Sequence, residues 1–501
     1  MTFKRSSGIL LHPSSLPSPY GIGDLGPQAF RFIDWLSLTG CKLWQMLPLG
    51  PTGYGDSPYQ CFSAFAGNPY LISPDGLFED GLLTYEDLDE MKGLPASYVD
   101  YGQLIPRKLD LLQKAFSNYQ SQPENLRSAF DYFYAENASW LDDYTLFMAL
   151  KEFHGGGSWN EWPDSLKARK KTAIRKAQKE LAESITRYAF YQFIFFRQWN
   201  KLRAYANERG IQIIGDLPIF VANDSADVWS HPELFFMDKN GNLIVVAGVP
   251  PDNFSATGQL WGNPLYNWEV HKKDDFAWWL SRVRSSLQVF DILRFDHFRG
   301  FASYYEIPAE NKTAESGRWV PGPGKDLFYT IDKHLGNGLT TPGIGLPFIA
   351  EDLGLVTPDV IELLEAFNLP GMKVMQFAFS GPDNQFLPHN YSSNCAAYTG
   401  THDNDTARGW FESAVPHERE FAQRYLRVDG SDFAWDLIRA IWGSVADIAI
   451  TPMQDVLSLG NEARMNFPSK LGGNWEWRMR EEDMSEHFSA KLRELNWMYY
   501  R

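Results

Sequence analysis

Residues 291–300 read DILRFDHFRG, an apolar run that finishes on charges. Val289, Phe290, Ile292, Leu293 and Phe295 suit a buried strand, yet Arg294, Asp296, His297 and Arg299 crowd its end. A buried charge is destabilising unless a partner answers it. Strand residues two apart share a face, so Arg294 falls beside Asp296 and would hold its carboxylate ionised, as a nucleophile requires. Glu351 closes another apolar run, PFIAEDLG, with no basic neighbour in sequence. An apolar setting raises a carboxyl pKa and retains the proton that a general acid must donate. Paired carboxylates of this kind cleave glycosides; retention of configuration requires them about 5–5.5 Å apart. Asp216 ends a further apolar run, and His402 and Asp403 end one more. A single acid at a strand end is most often a loop or capping group. Four such ends in one chain point to groups that must pair, titrate or do chemistry.

The elements that must position these groups are short apolar runs at 8–12, 42–49, 211–220, 289–297, 347–354, 372–379, 394–403 and 447–457. Continuous apolar runs of this length suit strands buried on both faces, as in a parallel sheet. Helix signals lie between several of them, such as Thr357-Pro358 before DVIELLEAF. Eight strands with intervening helices predict an α/β fold, a (β/α)₈ TIM barrel whose chemistry sits where the strands finish. The uneven spacing demands insertions, so residues 1–501 read as one barrel domain carrying two of them. Residues 80–210, between the second and third strands, carry Ile105, Leu109, Leu112 and Phe116 at helical spacing, and then Ile174, Leu181, Ile185 and Tyr188 along one long helix. Residues 221–285, between the third and fourth, form a loop and hairpin insertion, with Asn240-Gly241 as the hairpin turn.

A net charge of −16 argues against a nucleic-acid backbone or an anionic membrane as partner. Three cysteines without a CxxC give neither a disulfide framework nor a thiolate zinc site. The N-terminal apolar stretch, broken by His and Pro, is too short for a signal or a membrane span, so a cytoplasmic protein is expected. GIGDLG at 21–26 fits a dinucleotide fingerprint, but PSSLPSPY separates it from the strand that should precede it directly. FDHF and THDND could be metal ligands, yet neighbours in a strand point to opposite faces and no HExxH occurs. No metal and no cofactor are expected. The tryptophan pairs 159/162, 278/279 and 475/477 read as packing, and KARKKTAIRKAQK at 167–179 as a solvated helix face.

LRFDHFRG, IAEDLG and GTHDNDT resemble the signature segments of the 4-α-glucanotransferases, or amylomaltases, of the α-amylase superfamily. The resemblance extends through ILLHPSSLPSPYGIGDLG, GPTGYGDSPYQ, GDLPIFV, GVPPDNFSATGQLWGNPLYNW and RMNFPS, in the expected order over nearly the whole chain. It implies transfer of an α-1,4-glucan segment to the 4-hydroxyl of glucose or another glucan, so glucan donors and glucose or glucan acceptors are the partners. It implies Asp296 as nucleophile, Glu351 as acid/base and Asp403 as the carboxylate that stabilises the transition state. His402 and Arg294 match supporting positions, Asp216 a sugar-contacting acid, and Tyr59 and Trp261 aromatic substrate contacts. Tyr54 matches a position on a second glucan groove, and acceptor contacts fall near Asn466. Phe295, Ser14, Phe467 and Ser469 depart from the usual Ile, Thr, Thr and Gly.

The stretch 248–262 carries stiffening Pro250-Pro251, flexible Gly248, Gly258 and Gly262, and the apolar faces of Phe254 and Trp261. A lid over the acceptor side with Phe254 at its tip is expected. A plain glucan hydrolase would use the same acids, whereas a non-catalytic glucan binder would have no need of all three. Monomer and homodimer are both compatible with the sequence.

Overall fold

The computed structural model describes residues 3–119, 124–251, 255–339, 345–468, 470 and 472–501. Its strands are β1 (Ser6–Leu10), β2 (Leu43–Gln45), β3 (Gln212–Pro218), β4 (Val245–Val249), β5 (Gln259–Pro264), β6 (Ile292–Asp296), β7 (Ser303–Pro308), β8 (Arg318–Pro321), β9 (Phe348–Ala350), β10 (Gly371–Val374), β11 (Cys395–Tyr398) and β12 (Ile448–Pro452). Eight of them close a barrel in the order β1-β12-β11-β10-β9-β6-β3-β2, and every ladder in it is parallel. These are the eight apolar runs of the sequence.

The barrel explains why those runs are apolar without interruption. Leu10, Leu43, Ile214, Ile292, Ile349, Met372, Val374, Tyr398 and Ile450 fill its interior. Their neighbours Ile9, Trp44, Ile213, Leu293, Phe295, Phe348 and Ala449 point outward into the layer shared with the helices. Both faces are thus removed from water, at about 1.5–3 kcal/mol for each fully buried large side chain. The same alternation places Arg294 and Asp296 on the interior face with Ile292, and Asp216 there with Ile214.

Between β2 and β3 the chain forms helices that include Tyr101–Tyr119, Glu124–Phe153, Lys171–Glu180 and Ala182–Glu208. In the first, the buried stripe is Leu104, Lys108, Leu111, Leu112, Ala115 and Phe116. It is rotated from the expected one because Lys108 turns inward, its ammonium donating to the Ile72 carbonyl at 2.5 Å. The expected single long helix is broken at Leu181 into two. Of the basic run at 167–179, helix Lys171–Glu180 buries only Ala177. Arg169 instead lies over the Trp229 ring at 4.2 Å and pairs with Asp143.

Asn240-Gly241 does sit in a turn, with Gly241 at φ 81°, but the hairpin is reduced to one bridge, Met237 to Leu243. β4 pairs instead with β5 and β7 in a four-stranded sheet ordered β5-β4-β7-β8. Two of its strands, β7 and β8, lie between barrel strands β6 and β9, where the sequence reading placed none. In GIGDLG, Asp24 accepts from Gly26 N–H (2.8 Å) and from the Ser18 hydroxyl (3.0 Å), so the loop fills its own turn before helix Pro27–Thr39. Among the described residues no helix is long and apolar enough to cross a membrane, and Cys41, Cys61 and Cys395 are unpaired.

Candidate active site

Arg294 is the hub of the interior face. Its Nη1 donates to both oxygens of Asp216 at 2.7 Å and to Oδ1 of Asp296 at 3.0 Å. Register makes this possible, because β3 and β6 pair Asp216 with Arg294 and Pro218 with Asp296. The Tyr59 hydroxyl, carried in by the loop after β2, also donates to Asp216, at 2.8 Å. The Asp216 side chain is fully enclosed at 0% exposure, while that of Asp296 keeps 27%. Asp216, expected to touch sugar, is bonded to Arg294 and Tyr59.

Glu351 follows β9 directly. Its Oε2 accepts the His297 N–H at 2.7 Å and its Oε1 the Leu353 N–H at 2.8 Å. His297 takes a left-handed φ of 48°, which turns the chain just past Asp296 and aims that N–H at the acid. Burial lifts Glu351 to about 8, with Arg294 opposing and the Asp296 charge adding to the rise. Burial lifts Asp296 as well, to about 6, again against Arg294. The sequence predicts that Arg294 keeps Asp296 ionised; desolvation outweighs the pair in raising its pKa, yet at about 6 the carboxyl is still largely ionised at neutral pH. It remains the more acidic of the two, since Arg294 bonds it directly.

The opposite rim is built from loops. Asp403, 48% exposed, accepts from Asn466 Nδ2 at 2.6 Å, and His402 Nε2 lies 3.4 Å from the same oxygen. Asn466 N–H donates to the His402 carbonyl at 3.1 Å. Arg464 ties both down through the Asp403 carbonyl (2.5 Å) and the Asn466 carbonyl (2.7 Å). The Tyr59 ring stacks on His402 with centroids 5.1 Å apart and leans on Trp475 at 5.8 Å, joining rim to strand wall. Trp475 holds φ 64°, a conformation that a bulky residue adopts only under constraint.

Trp261 comes from β5. It meets His297 edge-on at 4.7 Å and lies near Phe220 at 6.5 Å, so the inserted sheet reaches the acid's side of the mouth. Tyr54 stands apart, 74% exposed in the turn Tyr54–Asp56. Phe254 and Ser469 lie outside the described residues. The sequence reading does not single out Arg464, and it takes Trp475 as packing. Arg464 opens the quoted RMNFPS segment and could have been found there, whereas Trp475 reads like any packed tryptophan. Among the described residues no three His, Cys, Asp or Glu side chains are grouped to hold a metal ion.

A carboxyl at a strand end, a second carboxyl of raised pKa one strand away and a rim of hydrogen-bonding side chains are the kind of equipment that can break and remake an acetal bond. A family model described as 4-alpha-glucanotransferase matches residues 11–484. The chain belongs to the 4-alpha-glucanotransferase family. It is 51% identical over 506 residues to the 4-alpha-glucanotransferase of Thermus thermophilus, covering 99% of each chain. It is 48% identical over 506 residues to that of a Synechocystis species, covering 100% of this chain and 99% of the relative. The fold is similar to that of an amylomaltase from Streptococcus agalactiae in complex with acarbose, with a TM-score of 0.95, 41% identity and coverage of 99% of this chain and 100% of that one. The protein is thus a transglycosylating enzyme. Its family's activity is the transfer of α-1,4-glucan segments.

Proposed function

We propose that Asp296 is the nucleophile of this 4-alpha-glucanotransferase, Glu351 its acid/base and Asp403 the carboxylate that steadies the oxocarbenium-like transition state. The observation that carries the assignment is the split between two neighbouring carboxyls on adjoining barrel strands. Asp296 is bonded to Arg294, and Glu351 is pushed to about 8 without an ion-pair contact. At neutral pH the first attacks C1 while the second still holds a proton for the leaving 4-oxygen. The glycosyl ester on Asp296 then persists until an acceptor 4-hydroxyl arrives, and Glu351, now ionised, takes its proton.

Arg294 and Asp216 hold the nucleophile. His402, Tyr59 and Trp261 line the sugar's path, and Asn466 serves the acceptor side through its bond to Asp403. Tyr54 is assigned to a second glucan contact on the outer surface. Linear α-1,4-glucans are the donors, and glucose or a glucan chain the acceptor. We assign the barrel and its two insertions, 80–210 and 221–285, to one catalytic domain. The three unpaired cysteines fit work in the reducing cytoplasm.

Maltotriose incubated alone tests the reading. Transfer yields glucose and a ladder of longer chains. Hydrolysis, the competing use of the same acids, yields only shorter products, and a binding protein yields none. A separation of the Asp296 and Glu351 carboxyls near 6.5–9.5 Å in a substrate complex would contradict retention at this pair.

A further inference from the structure

We propose that Asp352 is the residue that positions the acid, by tying the short strand β9 to β10 and, through Met372, to the arginine of the nucleophile. β9 is only three residues long, Phe348–Ala350. On one side it pairs with β6 through Leu293, Arg294 and Phe295. The backbone carries that contact past the strand's end: Glu351 N–H donates to the Phe295 carbonyl at 3.0 Å, and Phe298 N–H to the Glu351 carbonyl at 2.9 Å. On the other side the ladder with β10 is a single pair, Ala350 with Gly371, and Ala350 N–H donates to the Pro370 carbonyl at 2.9 Å. Beyond that point no further ladder pair joins β9 to β10 among the described residues.

A side chain completes the link. Asp352 Oδ1 accepts the Met372 N–H at 2.7 Å. The carboxylate lies so close over β10 that a Cβ on residue 371 would come within 2.4 Å of its Oδ2, so Gly371 is the residue that leaves it room. The sulfur of Met372 is in turn 3.4 Å from Arg294 Nε, on the guanidinium that bonds Asp296. One carboxylate therefore fixes the backbone next to Glu351 and the side chain that backs Arg294. It sets the spacing between acid and nucleophile through the backbone and Met372. The inference rests on the reading of Glu351 as the acid.

A misplaced acid should damage the step that needs its proton more than one that does not. Positional errors of about 1 Å can lower rates by roughly 10²-fold. Asp352→Ala should lower kcat/KM on maltotriose about 10- to 100-fold, and on α-maltotriosyl fluoride, whose leaving group needs no protonation, less than about threefold. Asp352→Asn, which keeps the accepting oxygen, should restore both values to within about threefold. Gly371→Ala, which displaces the carboxylate, is read by the same ratio should Asp352→Ala fail to fold. Equal losses on the two donors, or no loss in a folded variant, would overturn the inference. Glu351→Gln is run beside them. If it too shows no preference for the fluoride, the acid assignment fails first; if it shows the preference and the Asp352 and Gly371 variants do not, only the positioning role falls.

Discussion

Around Asp296 the charges are met from its own strand, through Arg294, and from the neighbouring β3, through Asp216, whereas around Asp403 the partners come from loops and half of the side chain is in solvent. Arg294 and Asp216 keep 5% and 0% side-chain exposure; Asp403 keeps 48%. The strand wall is dry, and its register is fixed by ladders that also build the core, so charges there act in a low dielectric and shift pKa values far. Hydrogen bonds at the wetter rim contribute less apiece and can exchange with sugar hydroxyls. The wall is suited to bond making and breaking, and the rim to binding chains that must slide and be replaced.

The largest effect should come from removing Asp296, the proposed nucleophile on the wall. Asp296→Asn keeps the shape and the contact to Arg294 but cannot form the glycosyl ester. A loss of about 10⁴-fold or more in kcat, with glucan affinity retained by calorimetry, is expected. Residual turnover near the native rate would move the nucleophile elsewhere and dissolve the distinction between wall and rim.

Glu351→Gln should cost roughly 10²–10⁴-fold on glucans and remove the alkaline limb of the pH–rate profile. That limb should lie near 8, where burial places the acid. The linkage sign gives a second readout. The folded-state value lies above the unfolded one, so the folded protein binds the extra proton and loses stability as pH rises through that interval. Glu351→Gln should therefore be more stable than the native protein at pH 8–9 in denaturant titrations, and the gap should shrink toward pH 4. No pH-dependent gap would mean that the acid is not held protonated by its setting.

On the rim, Asn466→Ala should cost at most about tenfold in kcat/KM, because the bond it breaks is to an exposed carboxylate. The loss should appear as weaker acceptor saturation, with chemistry on a fluoride donor spared. A loss as large as that of Glu351→Gln would make the rim as demanding as the wall.

The smallest test lies behind the rim. His12 is 6% exposed, and burial together with His402 pushes it down to about 3. A base depressed in the folded state costs stability as pH falls below its unfolded value, since only the unfolded chain takes the proton. His12→Gln should flatten the fall in unfolding free energy by about 1.4 kcal/mol per pH unit between pH 6 and 4. An unchanged slope would mean that His12 carries no such penalty.

Much of the fold could be read from the sequence because both faces of each barrel strand are buried, which leaves uninterrupted apolar runs. The in-and-out alternation by itself places Arg294 beside Asp296. Other features resisted the same reasoning. Lys108 occupies an apolar stripe because a carbonyl from another segment waits for its ammonium. β4 abandons the Asn240-Gly241 hairpin because β5 and β7 offer it longer ladders. The rise of Asp296 to about 6 could not be foreseen, since burial depth depends on groups distant in sequence.

What the sequence determined by itself was the set of chemical groups and the elements that carry them: eight strands, an aspartate two residues from an arginine, a glutamate after an apolar run, and an aspartate in GTHDNDT. Those follow from side-chain chemistry and from the fixed period of a strand, both of which are local. The tertiary structure decided which groups meet. It brought Tyr59 across 157 residues to Asp216 and Asn466 across 63 to Asp403, and it set Asp352 over Gly371. Contacts of this kind are chosen by barrel closure and register, and desolvation on closure raises the pKa values of both Asp296 and Glu351.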